Sequence, residues 1–141
     1  MPTGGSSSEI YVRSEQSRGR LAVIENRMPA GAPGPPLHVH DFDEAFYVLE
    51  GELTFQLGDE ITTAGPGELA FAAGGVPHSL ANRGEAPARY LLICAPAGFE
   101  RTLARRSADR AGVEPPEWAM QPVPKVTVVG PRIGERPARP D

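Results

Sequence analysis

From Leu53 to Leu57 apolar and polar residues alternate cleanly as Leu-Thr-Phe-Gln-Leu. A period of two marks a strand with one buried face. Gly58-Asp59 follows in the manner of a hairpin turn, and Ile61–Ala64 reads as the returning strand. The same reading along the chain gives strands at Ile10–Arg13, Leu21–Met28, His38–His40, Glu44–Glu50, Glu68–Ala72, Val76–Asn82 and Arg89–Ala95. Each is short and bounded by Gly, Pro or Asn, the spacing expected of a sandwich or small barrel. Residues 29–36 are a Pro/Gly/Ala loop.

Beyond Pro96-Ala97-Gly98 the pattern changes period. Phe99–Ala111, with Phe99 and Leu103 four apart, predicts a short helix that Gly112 ends. Its arginines, Arg101, Arg105, Arg106 and Arg110, read as a solvated face. Val113 to Pro124 is proline-rich, Lys125–Val129 predicts a last strand, and Arg132 to Asp141 a frayed end. The domain reading is a flexible tail over residues 1–8, a barrel over 9–97, and a helix with an extension packing on it over 98–141.

Composition narrows the class. A chain of 141 residues has room for one domain with a real core. The 16 Gly and 16 Pro fit many tight turns between short strands. A net charge of -4 gives no electrostatic footprint for nucleic acid. Neither a signal peptide nor an apolar run of membrane-spanning length is present, so the expectation is a cytoplasmic protein without a membrane partner. Cys94 is the only cysteine and lies in the run Tyr90-Leu91-Leu92-Ile93-Cys94, which predicts a buried thiol rather than a catalytic one.

The chemistry lies in the histidines. All three fall in one constellation, His38-x-His40-x3-Glu44 and then His78. Imidazole is the commonest protein metal ligand, and a carboxylate adds the charge that holds a divalent ion. His38, His40 and Glu44 share parity, so strand geometry turns them to one face. His78 must come from a distant strand, as a closed barrel allows. Phe46 and Val48 share the parity of Glu44 and are expected to face the cavity, with Phe55 and Phe71 as further pocket wall. Tyr47 has the opposite parity and is expected outside, Asn82 in a turn or hydrogen-bonding role, and Gly51, Gly67 and Gly75 at turns.

Two blocks of the chain resemble the paired motifs of the cupin superfamily. Ala32-x5-His38-x-His40-x3-Glu44-x6-Gly51 is similar to the first, and Gly67-x5-Ala73-x-Gly75-x2-His78-x3-Asn82 to the second. Ala32 stands where glycine is usual and Ala73 where proline is usual; both concern loop shape rather than ligands. The resemblance implies an all-β double-stranded β-helix, or jelly-roll barrel, with His38, His40, Glu44 and His78 at the family's four metal positions. Pro96-Ala97-Gly98-Phe99-Glu100, the helix and a segment ending Gly130-Pro131 resemble the cupins of quercetin 2,3-dioxygenase type.

That likeness implies one divalent transition metal, Fe, Ni, Mn, Co, Cu or Zn, and a homodimer. Four ligands on an octahedral ion leave two positions open to a small-molecule substrate. In quercetinases the glutamate ligand is also the base, a double role the resemblance carries to Glu44. The leading expectation is a dioxygenase acting on an enol or phenolic substrate. Cupins with similar ligands also include non-redox cyclases of polyketide type, isomerases and plain ligand-binding proteins, because a fold does not fix a function.

Overall fold

The computed structural model describes residues 6–135. Most of the tail and the end of the C-terminal extension, residues 1–5 and 136–141, lie outside the described residues. In chain order the strands are β1 Ser7–Val12, β2 Ala22–Met28, β3 His38–Val39, β4 Asp43–Glu50 and β5 Leu53–Leu57. They continue as β6 Glu60–Ala64, β7 Leu69–Ala72, β8 His78–Ala81, β9 Ala88–Ala95 and β10 Thr127–Val128. A one-turn helix, α1 Ser14–Ser17, follows β1, and α2 Phe99–Ala111 follows β9. A 3-10 turn occupies Glu117–Met120.

Two five-stranded sheets form, ordered β1-β2-β9-β4-β7 and β10-β3-β8-β5-β6, and every pairing is antiparallel. This is the jelly-roll arrangement of a double-stranded β-helix. The core lies between the sheets because each long strand alternates. β9 buries Ala88, Tyr90, Leu92 and Cys94, and β4 buries Glu44, Phe46 and Val48. Ile24, Leu53 and Phe55 are wholly buried between them. No helix among the described residues is long and apolar enough to cross a membrane.

Several strand ends move by a residue or two, the Val76–Asn82 and Lys125–Val129 strands shortening to His78–Ala81 and Thr127–Val128, and two N-terminal features differ from the sequence pattern. β1 starts at Ser7, inside the expected tail, because Ser7 and Ser8 pair with Arg27 and Asn26. The Ser8 hydroxyl then donates to Asn26 Oδ1 at 2.6 Å. Polar serines carry no period, so their pairing left no trace in the pattern. α1 has too few residues to show one, and it ends on Arg18 in the left-handed conformation.

Two loops hold the histidine-bearing segments in place. Gly34 brings the 29–36 loop so close to β8 that a Cβ there would sit 1.7 Å from the Leu80 carbonyl oxygen. Gly75, at φ 84°, donates its N–H to the His40 carbonyl at 2.8 Å, while Gly74 donates to Asp43 Oδ1 at 2.7 Å. The turn before His78 is thereby tied to the turn after His40. Asn82 staples the far end of β8: its amide donates to the Met28 and Ala86 carbonyls, and its Oδ1 accepts from Gly84.

Candidate metal centre

His38 on β3 sits directly opposite His78 on β8, with ring centroids 4.5 Å apart. The second sheet thus brings together two residues far apart in the chain. His40 follows β3, and Glu44 reaches across from β4 of the first sheet. Ligand atoms of His38, His40, Glu44 and His78 all lie within 4.8 Å of one another. Ligands opposite each other across one ion, each about 2.0–2.2 Å from it, stand about 4 Å apart. Small rotations therefore close the set on a single ion.

The hydrogen bonds fix which imidazole nitrogen faces inward. His38 Nδ1 donates to the Pro36 carbonyl at 2.8 Å, His40 Nδ1 to the Phe42 carbonyl at 3.0 Å, and His78 Nδ1 to the Val76 carbonyl at 2.8 Å. A carbonyl accepts only, so each Nδ1 carries its hydrogen and each neutral ring presents an Nε2 lone pair to the centre. The Phe42 ring also stacks on His40, with centroids 3.6 Å apart and planes 2° from parallel. Both ends of that imidazole are thus held.

Glu44 is the counter-charge. Its Oε1 lies 2.5 Å from His40 Nε2 and 2.9 Å from His78 Nε2. Two lone pairs do not hydrogen-bond to a carboxylate, so the cluster needs positive charge at its middle, as a proton or as a metal cation. The titration directions agree. Burial alone would raise the Glu44 carboxyl, but the hydrogen bonds from His40 and His78 hold it below its ordinary range. Burial likewise pulls His78 down, yet its bond to Glu44 outweighs this and leaves it raised. His38, mainly desolvated, is held below its ordinary value and stays neutral. Three oriented nitrogens and one buried carboxylate fit a divalent transition ion.

A cavity of about 500 Å³ opens on this cluster. His38, Glu44 and His78 form its inner end, and His40 stands behind them. The walls are largely apolar: Met28, Phe46, Leu80 and Leu92 from the barrel, with Phe99 and Leu103 from α2. One polar strip crosses them. Asn26 donates to the Tyr90 hydroxyl at 3.1 Å, and both residues border the cavity.

The expected pocket residues divide. Phe46 lines the cavity. Val48 and Phe55 are fully buried in the core and reach no cavity wall. Phe71 lies on the outside, 52 % exposed, because it pairs with Ala45, whose parity is opposite to that of Glu44. The inward positions of β7 are Ala70 and Ala72. Tyr47 is outside, and Cys94 is buried, with burial pushing its thiol far up. Sequence reasoning missed the contribution of α2. Phe99, Leu103, Arg106 and Arg110 follow one helical face and all border the cavity.

Residues 25–94, which contain all four clustered side chains, match the family model described as Cupin domain. The chain belongs to the cupin superfamily. Solved structures with the same fold surround it. This cupin is 30% identical to TT1209 from Thermus thermophilus, covering 65% of this chain and 84% of that one at TM-score 0.58. A predicted oxalate decarboxylase from Thermotoga maritima is 22% identical, over 64% of this chain and 80% of that one, at TM-score 0.61. The polyketide cyclase RemF from Streptomyces resistomycificus is 24% identical, over 64% of each chain, at TM-score 0.57. No curated protein matches the cupin significantly.

Proposed function

We propose that this cupin holds one divalent transition-metal ion through His38, His40, Glu44 and His78, and acts as a dioxygenase on a small enol or phenolic substrate. One observation carries the reading. Three imidazoles are locked by backbone carbonyls with Nε2 turned toward a single buried carboxylate, at the closed end of an apolar cavity. A bound ion would supply Lewis acidity toward a substrate oxygen and, if redox-active, access to dioxygen.

The chain's own residues do the rest. Phe46, Leu80, Leu92 and Phe99 exclude water from the inner end and orient an apolar substrate body. Glu44 receives the substrate's hydroxyl proton on its carboxylate. Its lowered pKa makes it a weak base, so the substrate must itself be acidified. The Tyr90 hydroxyl, which accepts from Asn26, keeps its own hydrogen free to donate toward the cavity.

The assembly we assign is a homodimer. On the outer face of the first sheet, Tyr47, Leu69 and Phe71 are exposed, and the pairings Tyr47↔Leu69 and Ala45↔Phe71 set them side by side. A second copy of this face would cover that patch.

The decisive experiment measures oxygen uptake and substrate loss together, on protein reconstituted separately with Fe, Ni, Mn, Co, Cu and Zn. Stoichiometric oxygen consumption is the expected result. An equal rate of product formation under strict anaerobiosis would move the assignment to a non-redox cyclase or isomerase. Tight binding without conversion on every metal would leave a ligand-binding cupin.

A further inference from the structure

The four arginines of α2 have two different environments. Arg101 donates to the Pro122 carbonyl and to Glu15, and Arg105 donates to the Ala119 and Gln121 carbonyls. That pair, four residues apart, fastens the C-terminal extension to the helix. Arg106 and Arg110, also four apart, turn to the cavity instead. Neither has an ion-pair partner among the described residues. The single hydrogen bond of Arg110 there is a 3.5 Å contact with the Ser107 hydroxyl. The Arg106 guanidinium lies 5.9 Å from the centre of the Phe99 ring, itself a cavity wall.

Both residues are exposed at the edge of the cavity, so water solvates their charges while no carboxylate among the described residues occupies them. Among the described residues Glu44 is the only acidic one on the cavity wall, and it lies at the inner end. The cavity is therefore polarised: a carboxylate and imidazoles inside, an apolar middle, and two uncompensated guanidiniums outside. The Phe99 ring stands between the two ends, 5.9 Å from the Arg106 guanidinium and 6.4 Å from the His40 ring.

We propose that Arg106 and Arg110 receive a carboxylate of the substrate. The substrate class is then an enolic or phenolic acid, with its hydroxyl at the histidine end and its carboxylate at the mouth. This rests on the functional reading above for the hydroxyl end; the arginine end stands on its own contacts. A planar guanidinium accepts a carboxylate in two parallel hydrogen bonds, which gives orientation as well as attraction.

The test uses matched acids and primary amides: 4-hydroxybenzoate, 4-hydroxyphenylacetate and 4-hydroxycinnamate, each with its amide. Binding is measured by calorimetry on metal-reconstituted and on chelator-stripped protein. At least one acid binds about tenfold more tightly than its amide, a margin typical of a charge-assisted pair. That margin persists after stripping, because the arginines and not the metal produce it. Arg106→Gln and Arg110→Gln each shrink it, the double variant abolishes it, and Arg106→Lys retains part of it. Glutamine is a good helix former, so α2 stays folded, and metal content stays at the wild-type level.

The proposal is overturned if no acid binds better than its amide. It is equally overturned if the preference survives the double variant, or disappears with the metal. Failure of the dioxygenase reading would look different: no metal bound or no oxygen consumed, with the arginine-dependent preference intact.

Discussion

Replacing His78 with alanine tests the metal centre, provided its two consequences are kept apart. The side chain is 1% exposed and donates to the Val76 carbonyl while facing Glu44. Its loss opens a cavity and removes the donor to the part-buried Val76 carbonyl, which together cost about 2–4 kcal/mol with no metal present, most of it from the cavity. The metal contribution is separate. With free metal at about 100 times its Kd, binding stabilises the native state by about 2.7 kcal/mol. For a domain of this size that raises Tm by about 8–13 °C. If losing one of four ligands weakens binding about a hundredfold, the same metal concentration yields only about 0.4 kcal/mol, or a shift of about 1–2 °C. The assay is therefore a thermal-unfolding cycle of wild type and His78→Ala, each with chelator and with each metal. The difference of the two metal-induced shifts cancels the packing cost. An undiminished metal-induced shift in His78→Ala would refute the assignment, however unstable the variant.

Four other expectations follow from the same structure. Glu44→Gln removes the base but keeps size and an oxygen donor, so turnover should fall about 100- to 10,000-fold while metal content, read by elemental analysis, falls far less. Metal uptake should weaken as pH drops through the titration of His78, above its ordinary 6.5, because the ion must displace a proton that Glu44 favours. In metal-free protein that raised pKa gives stability present below 6.5 and lost as pH rises through the folded value. The lowered pKa of Glu44 gives stability present above 4.5 and lost as pH falls, so Tm should peak between the two. Phe71→Asp should convert a dimer to a monomer by light scattering at micromolar concentration, and a wild-type monomer would refute the interface.

The clustering of His38, His40, Glu44 and His78 was legible from the paired motifs, whereas the shared strand face was not realised, because β3 ends at Val39 and Glu44 comes from β4 of the other sheet. The strands from Leu53 to Ala95 were legible from their pattern, with ends that moved by a residue or two. Phe71 was misread because β7 inverts the usual rule. Its small residues Ala70 and Ala72 face in, and its large ones, Leu69 and Phe71, face out. Only the register against β4 reveals this, and register is not written in one strand alone. The arginines of α2 were taken as one solvated face. The sequence did hold a signal for the split, since Arg106 and Arg110 continue the helical stripe of Phe99 and Leu103. What it could not give was the direction of that stripe. The backbone carbonyls that orient the imidazoles were invisible, because any residue supplies a carbonyl and only the fold decides where it points.

The two-residue strand β3 carries a further consequence. His38 is flanked on one side by His78 of β8 and on the other by Val128 of β10, and Val129 donates to the Leu37 carbonyl at 2.8 Å. The least buried member of the cluster is thus braced by the last strand in chain order among the described residues. A ribosome adds about 5–20 residues per second, so His38, His40 and Glu44 emerge seconds before the strand that completes their frame. A nascent chain would expose them as an open, weakly selective chelator. Selection of the ion should therefore wait until β10 has closed beside His38.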